Sequence, residues 1–394
     1  MAIIGGGYTG LAAARTLARH GAEVTVLERH EIGWGASSRN GGFVLPGYKP
    51  EIEALARRLG VAEARRLFEL SVQAVCGLEA LIREESIDCA YARCGTVVLA
   101  ARPSHLAGLE RSRRFLQQEL AHETELLGPS EVRAEIGSTR YHGGLLDPFA
   151  GSVQPAALVY GLARAAQRAG ARLVPGTDVR RLVRAGEGFV VSTAAGDIRA
   201  REVLVAINAY TGAAVPALRR RVVPVGSYVI ATAPLDAALA QRLVPRRRVL
   251  SDTKNLLYYF RLAPDDRMVF GGRAAFTPTP LARTADILAR GMGEVFPELA
   301  GAPVEYAWGG KVAFALDQMP HAGRLDGIHY ALGYGGHGVA MATWLGARMG
   351  DALAGAGEIP RLTSRFSPVP LYRGTPWFLP LVGGYYRVRD WLDR

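Results

Sequence analysis

Gly5, Gly7 and Gly10 stand in the spacing G-x-G-x-x-G within Gly5-Gly6-Gly7-Tyr8-Thr9-Gly10, and Glu28 follows 18 residues after Gly10. The chemistry of that spacing is anion binding. Gly5 permits a tight turn, Gly7 lets backbone approach a pyrophosphate, and Gly10 lets a helix pack closely on a strand, with the helix amides receiving the phosphate charge. A carboxylate at Glu28 is placed to accept hydrogen bonds from ribose hydroxyls. A second glycine-rich run, Gly33-Trp34-Gly35-Ala36-Ser37-Ser38-Arg39-Asn40-Gly41-Gly42, has small residues that let backbone lie against a flat ring system, with Ser37, Ser38 and Asn40 as local hydrogen-bond formers. No triad or metal-ligand cluster is readable. Cofactor chemistry needs neither, because the cofactor carries the reaction.

The elements that must position these residues alternate between helix and strand, the pattern of an α/β protein. Ala2 to Ile4 is a short apolar strand, Leu11 to His20 an Ala/Leu/Arg helix stopped at Gly21, and Glu23 to Leu27 a second strand, together a βαβ unit. Helical patterns follow at Ile52 to Leu59, Ala62 to Ile82, Leu106 to Leu120 and Pro155 to Ala169. Strand-like runs lie at Thr96 to Ala100, Arg172 to Pro175, Phe189 to Thr193, Val203 to Ile207, Val222 to Thr232 and Leu256 to Phe270. The β-rich stretches with prolines suit an antiparallel sheet. Two interleaved domains are expected, one from residues 1–45, 150–215 and 321–360 and one from 46–149 and 216–320, with 361–394 as a tail packed on the body.

Composition narrows the classes. The 394 residues carry 47 Lys+Arg against 36 Asp+Glu, a net +11, but lysine occurs only at Lys49, Lys254 and Lys311 and the arginines are scattered. No basic stretch is interleaved with stacking aromatics, which argues against nucleic-acid binding. So lopsided a ratio of arginine to lysine reads as codon bias rather than design, and steering of a partner by charge stays open. Cys76, Cys89 and Cys94 are an odd number without a second metal-binding pair, fitting a reducing compartment. The first residues lack the basic n-region of a signal peptide, and Ile328 to Ala347, although free of Asp, Glu, Lys and Arg, is divided by Gly333, Gly335, Gly336 and Gly338 into strand, turn and helix start. A cytoplasmic protein with no transmembrane segment is expected. Asp351 and Glu358 read as solvent-facing.

The first glycine motif with Glu28 and the Gly-Ala-Ser-x-Arg-Asn-Gly-Gly loop resemble the FAD-dependent D-amino acid oxidase superfamily, specifically its gamma-glutamylputrescine oxidase-like branch. The resemblance runs on through Val203 to Thr211, Tyr259-Phe260-Arg261, Phe270 to Arg273, Trp308-Gly309-Gly310, Asp317, Pro320 and Gly333-Tyr334-Gly335-Gly336-His337-Gly338-Val339. It implies a Rossmann-like FAD domain interleaved with an antiparallel α+β substrate domain. It also implies FAD contacts at Gly5, Gly7, Tyr8, Thr9, Gly10, Glu28, Arg29, Gly35, Ala36, Ser37, Ser38, Arg39, Asn40, Gly41, Gly42, Val179, Asn208, Gly333, Gly335, Gly336, His337, Gly338 and Val339. The last helix start would place amides and a positive dipole end beside the reduced flavin.

The activity implied is oxidation of a primary or secondary amine, with hydride transfer to flavin N5, imine hydrolysis and peroxide release to oxygen. A flavin dehydrogenase of an amine or hydroxy acid, and a non-catalytic flavin-binding subunit, are the alternatives. His337 either touches flavin, orients substrate, or serves only backbone hydrogen bonds. Tyr258, Tyr259 and Arg273 are pocket candidates, with the two tyrosines expected on alternating faces, and His337, Tyr259 and Arg273 are the expected catalytic residues. Covalent flavin in relatives uses a cysteine before the C-terminal glycine loop or a histidine after the second strand. Val312 to Leu316 and Ser38-Arg39-Asn40 offer neither, so non-covalent FAD is expected. In the glycine-oxidase-like branch an arginine eight residues before the proline anchors a substrate carboxylate, and counting back from Pro320 puts Val312 there. The chain departs from the family in having only Met1 to Ile4 before Gly5, a first strand short enough to weaken its sheet.

Overall fold

The three-residue strand Ala2–Ile4 lies inside a six-stranded sheet, in register and parallel with Val203–Val205 on one side and Thr25–Leu27 on the other. The computed structural model describes residues 1–272, 279–362 and 365–392. Arg172–Val174 extends the sheet beyond Thr25–Leu27, and Ile328–Leu332 extends it beyond Val203–Val205, all in parallel. His321–Leu325 closes that edge by pairing antiparallel with Ile328–Leu332. The shortness of the first strand is offset by position. All three of its residues are buried, and backbone bonds from the Met1 amine to Glu23 and from Ala2 to Glu202 continue the pairing at its start.

The helix Tyr8–Arg19 follows because Leu11, Ala14 and Leu17 form an apolar face beside small alanines. It ends as its sequence dictates. Gly21 takes φ +81°, and the amides of Gly21 and Ala22 close on the carbonyls of Ala18 and Leu17. Its neighbour is the helix Gly338–Leu353, where side chains at Gly346 and Gly350 would run into Thr9 and Thr16. The two glycines, one turn apart, set that close approach.

A second sheet has eight strands in the order Val304–Phe314, Val223–Thr232, Met268–Gly272, Tyr258–Leu262, Val249–Asp252, Thr96–Leu99, Gly144–Asp147 and Glu125–Leu127. The long apolar run at Leu256 to Phe270 is thus two strands, broken at Asp265-Asp266, where Asp266 has φ +61°. One pairing departs from the antiparallel expectation, since Val249–Asp252 runs parallel to Thr96–Leu99. These two strands are too distant in sequence for a hairpin to fix their direction. Phe260, Phe270 and Phe296 fill the core between this sheet and the helix Leu281–Val295. Neither that helix nor the one at Leu379–Leu392 was expected from the sequence. A separate antiparallel meander, Val179–Ala185, Gly188–Thr193 and Gly196–Ala200, joins Arg172–Val174 to Val203–Val205.

Residues 328–347 divide into a strand, a glycine turn and a helix start. No helix among the described residues is long and apolar enough to cross a membrane. Tyr372 and Leu379 are buried against Val223 and Val225, so the C-terminal segment packs on the large sheet. Asp351 is not simply solvent-facing. It accepts from His20 and pairs with Arg348, while Glu358 is exposed.

Candidate functional site

A continuous cavity of about 1350 Å³ opens at the carboxyl ends of Ala2–Ile4, Thr25–Leu27 and Val203–Val205 and reaches the large sheet at Val225, Tyr259 and Val312. In open parallel sheets this crevice is where ligands sit. Gly5 has φ +111° there, and a side chain on it would meet the Ala206 carbonyl at 2.7 Å. The Tyr8 amide donates to Ser37 Oγ (3.0 Å), so the second glycine loop docks on the first turn of the helix. Glu28 borders the cavity and accepts from the amides of Gly6 (2.8 Å) and His30 (3.0 Å).

The second loop is held from several sides. Asn40 Nδ2 donates to the carbonyls of Ala36 and Ser37, and Asn40 Oδ1 accepts from the Gly42 amide at 2.8 Å. Arg39 donates to the Gly309 carbonyl, while Trp308 Nε1 donates back to the Arg39 carbonyl at 2.9 Å. Arg261, which sequence reading treated only as part of a motif, is buried and donates to the carbonyls of Gly41 (2.7 Å), Val153 (2.9 Å) and Leu262 (3.1 Å). Burial pulls its pKa down to about 10. Its signal was a cation inside the apolar run Tyr-Tyr-Phe-Arg-Leu.

The C-terminal glycine loop closes the same space. Gly333, Gly335 and Gly336 all take positive φ, and the Gly333 amide donates to Asn208 Oδ1 at 2.9 Å, with Asn208 itself left-handed. Tyr334 is buried with its hydroxyl 2.7 Å from Thr9 Oγ1. His337 begins the helix Gly338–Leu353 without capping it through its side chain, and its Nδ1 is sealed from solvent with no hydrogen-bond partner. Burial, reinforced by Lys49, lowers its pKa to about 4.

Of the expected residues, Gly5, Gly7, Tyr8, Thr9, Glu28, Arg29, Gly35, Ala36, Ser37, Arg39, Asn40, Gly41, Val179, Asn208, Gly335, Gly336, His337, Gly338, Val339 and Tyr259 border the cavity. Four do not. A side chain on Gly10 would collide with the Gly5 carbonyl, so Gly10 serves helix–strand packing alone. Ser38 turns inward to the Gly33 carbonyl (2.8 Å), Gly42 makes room for the Val153 carbonyl, and Gly333 serves the turn. Arg273 lies outside the described residues. Tyr259 reaches Ser227 Oγ (3.0 Å), whereas Tyr258 faces away beneath Lys254, whose ammonium lies 3.5 Å from its ring centroid.

The sequence reading missed the buried ion pair Asp252–Lys254 (3.0 Å), which also borders the cavity. Burial raises the Asp252 pKa and lowers that of Lys254. It also passed over His30, which follows the second strand and lies with its ring 4.0 Å from Trp34. The three cysteines are free, and none borders the cavity.

A glycine-cradled helix start, a carboxylate after the second strand, a third glycine loop with an unpartnered imidazole nitrogen, and a cavity spanning all three accommodate a dinucleotide with a flat second ring system. The fold and site define a dinucleotide-dependent oxidoreductase. A family model described as "FAD dependent oxidoreductase" (DAO) matches residues 1–352, and the chain belongs to that family. It is an FAD-dependent enzyme. The chain is 34% identical over 393 residues to the gamma-glutamylputrescine oxidoreductase of Escherichia coli (strain K12), covering 98% of this chain and 92% of that protein. It is 32% identical over 400 residues to the probable oxidoreductase OrdL of Rhizobium meliloti (strain 1021), covering 99% and 92%. Among solved structures, glycine oxidase from Geobacillus kaustophilus shares the fold, with TM-score 0.76, 22% identity, and coverage of 94% of this chain and 98% of that one.

Proposed function

We propose that the protein oxidises a primary or secondary amine with no carboxylate on the reacting carbon, the acylated end of a polyamine-like chain lying further out. The overall reaction is amine plus oxygen plus water to aldehyde, ammonia or a smaller amine, and hydrogen peroxide. Val312 carries this reading. It lines the cavity within contact range of Gly336, a Cβ built on that glycine falling 4.0 Å from its methyl, and pairs across strands with Val225, so the lining at that point is aliphatic, with Lys49 and Lys311 also bordering the cavity. A carboxylate desolvated against valine would lose several kcal/mol.

Bound FAD supplies a two-electron acceptor, held by the Gly5–Gly10 turn, Glu28, the Gly35–Gly41 loop and the Gly335–Val339 helix start. His337, neutral at neutral pH, borders the cavity with its Nδ1 buried, and so shapes the wall beside the amine. Tyr259, fixed by Ser227 and by an edge-on contact with Phe43, sets the opposite wall. Past Tyr259 the cavity continues to Phe68, Leu109 and Leu116, room for a substrate longer than an amino acid. The similarity to an enzyme named for gamma-glutamylputrescine supports the same substrate class, and we place the activity in the cytoplasm.

The test is an anaerobic screen of mono- and diamines, with and without N-acyl groups, followed by admission of air. Bleaching of flavin absorbance by an N-acylated diamine and stoichiometric peroxide on reoxidation is the expected result. Bleaching followed by reoxidation only through dyes or quinones would make the protein a dehydrogenase. No bleaching by any amine or hydroxy acid would make it a flavin-binding subunit.

A further inference from the structure

The C-terminal segment exposes apolar side chains that the catalytic reading leaves unused. Leu371, Trp377, Leu381, Tyr385 and Val388 are 87%, 59%, 71%, 58% and 55% exposed. Leu381, Tyr385 and Val388 fall at i, i+4 and i+7 of the helix Leu379–Leu392, one face of it. This stripe is not a loose end. Asp390 accepts from the amides of Asn255 and Leu256 and from Asn255 Nδ2 (2.8 Å), Arg102 donates to the Asp390 carbonyl, and Tyr386 borders the cavity. The opposite face of the helix is therefore anchored, and the apolar face is presented on a fixed support.

Charge distinguishes among the surfaces that could cover it. Residues 371–389 contain no Asp or Glu, Arg373, Arg387 and Arg389 are exposed in that segment, and Arg389 flanks the stripe on the helix. The carboxylate of Asp390 is spent on the Asn255–Leu256 backbone. An apolar face carrying Trp and Tyr, rimmed by arginine and short of the length needed to span a bilayer, has the make-up of a helix that lies in the headgroup region.

We propose that this face docks the enzyme on an anionic lipid surface. Leu381, Tyr385 and Val388 enter the headgroup boundary, Trp377 sits beside them, and the three arginines meet lipid phosphates. Part of the net charge of +11 thereby has a task. Because Tyr386 follows Tyr385 directly, docking sets the cavity wall next to the lipid, a position from which an amphipathic amine or a lipid-soluble electron acceptor could be met.

Flotation of the full-length holoenzyme with vesicles tests this. Vesicles of phosphatidylglycerol and phosphatidylcholine should carry the protein and pure phosphatidylcholine should not, with binding reduced at half-molar salt as charges are screened. R373E/R387E/R389E should weaken binding at least a hundred-fold, taking about five-fold per arginine. L381Q/Y385Q/V388Q should abolish it while FAD content and amine-dependent flavin bleaching are kept. Leu316→Gln, at an exposed position elsewhere, should leave it unchanged. Quenching by bromine-labelled acyl chains should be lost in Trp377→Phe. No flotation with the anionic vesicles, or flotation equal for the wild type and the L381Q/Y385Q/V388Q variant, overturns the proposal. So does a concentration-dependent dimer that this variant dissociates, which would make the face a contact between copies.

Discussion

The hydroxyls of Thr9 and Tyr334 meet at 2.7 Å although 325 residues separate them in the chain. One belongs to the first turn after the N-terminal glycines and the other to the C-terminal glycine loop, so this bond ties the two ends of the cofactor cavity together. Both groups are buried, and burial keeps the Tyr334 phenol protonated by raising its pKa. Tyr334→Phe removes one partner and leaves the Thr9 hydroxyl needing another, a loss of about 1–3 kcal/mol. The expected outcome is a lower melting temperature for the holoprotein and faster FAD loss on dialysis, with the substrate profile kept.

Arg261 holds a larger share of the site. Its guanidinium satisfies three carbonyls on three segments, and no acidic side chain bonds it among the described residues. Arg261→Met would strand the carbonyls of Gly41 and Val153 in an interior without water. Hydrogen bonds to a charged donor are worth about 1.5–3 kcal/mol each, so the loss should exceed 3 kcal/mol and the loop at Gly41 should loosen. Arg261→Lys, able to reach only part of this set, should fall between. Urea denaturation of the three proteins with FAD bound checks the order; equal midpoints for wild type and Arg261→Met would refute it.

Glu28→Gln should raise the FAD dissociation constant by about ten- to a hundred-fold, through loss of a charge-assisted bond to ribose. Glu28→Ala should do more, since the Gly6 and His30 amides lose their acceptor as well. Acid precipitation of the wild type should leave the yellow colour in the supernatant. Flavin retained in the pellet would indicate a covalent bond, to one of the bordering histidines His30, His105 or His337, since none of the cysteines borders the cavity.

The cofactor end was legible because it is written in glycines, whose spacing survives without knowledge of packing. Gly5, Gly7 and Gly336 sit where backbone must turn or a ligand must approach. Ser38 and Gly42 carry the same small-residue signature, yet face the protein, because a loop that cradles a ring needs an inner side too. Arg261 and the Asp252–Lys254 pair were hidden for a different reason. Arg261 takes its partners at Gly41 and Val153 from distant segments, which leaves no spacing in the chain, while Asp252 and Lys254, although only two residues apart, show an acid–base spacing that does not tell a buried pair from a solvated loop. The helix Leu379–Leu392 was missed because two adjacent glycines and a proline obscure its period.

His337 leads to a pH prediction with a definite sign. Its pKa in the folded protein, about 4, lies below the ~6.5 of a free imidazole, so folding favours the neutral form. As pH falls from about 6.5 toward 4 the unfolded chain binds a proton that the folded one does not, and this group's contribution to stability declines. Holoprotein stability should therefore drop less between pH 7 and pH 5 in His337→Asn than in the wild type. The acid limb of kcat/KM above pH 5 should follow the substrate amine, moving with amine basicity and staying put in His337→Asn. A limb near pH 6.5 that vanishes in the variant would assign ionisation to His337 instead.

On the proposed reading, Val312 decides what the reacting carbon can carry. The strand Val304–Phe314 alternates its side chains, and Lys311, one position earlier, is exposed with its ammonium 5.9 Å from the Tyr210 ring centroid. Strand geometry thus denies Lys311 the place that Val312 holds near Gly336. A substrate carboxylate would meet methyl groups from Val312 and Val225, a cost of several kcal/mol, or roughly a thousand-fold or more in kcat/KM against an uncharged analogue. Val312→Arg supplies a planar cation able to bind a carboxylate through two parallel bonds. It should gain turnover of glycine, sarcosine or a D-amino acid and lose turnover of N-acylated diamines, while binding FAD as the wild type does. The decisive comparison is the ratio of kcat/KM for the two substrate classes in each protein. If the wild type already prefers a small α-amino acid to every acylated diamine or monoamine, the anchor lies elsewhere and Arg273 is the first residue to change.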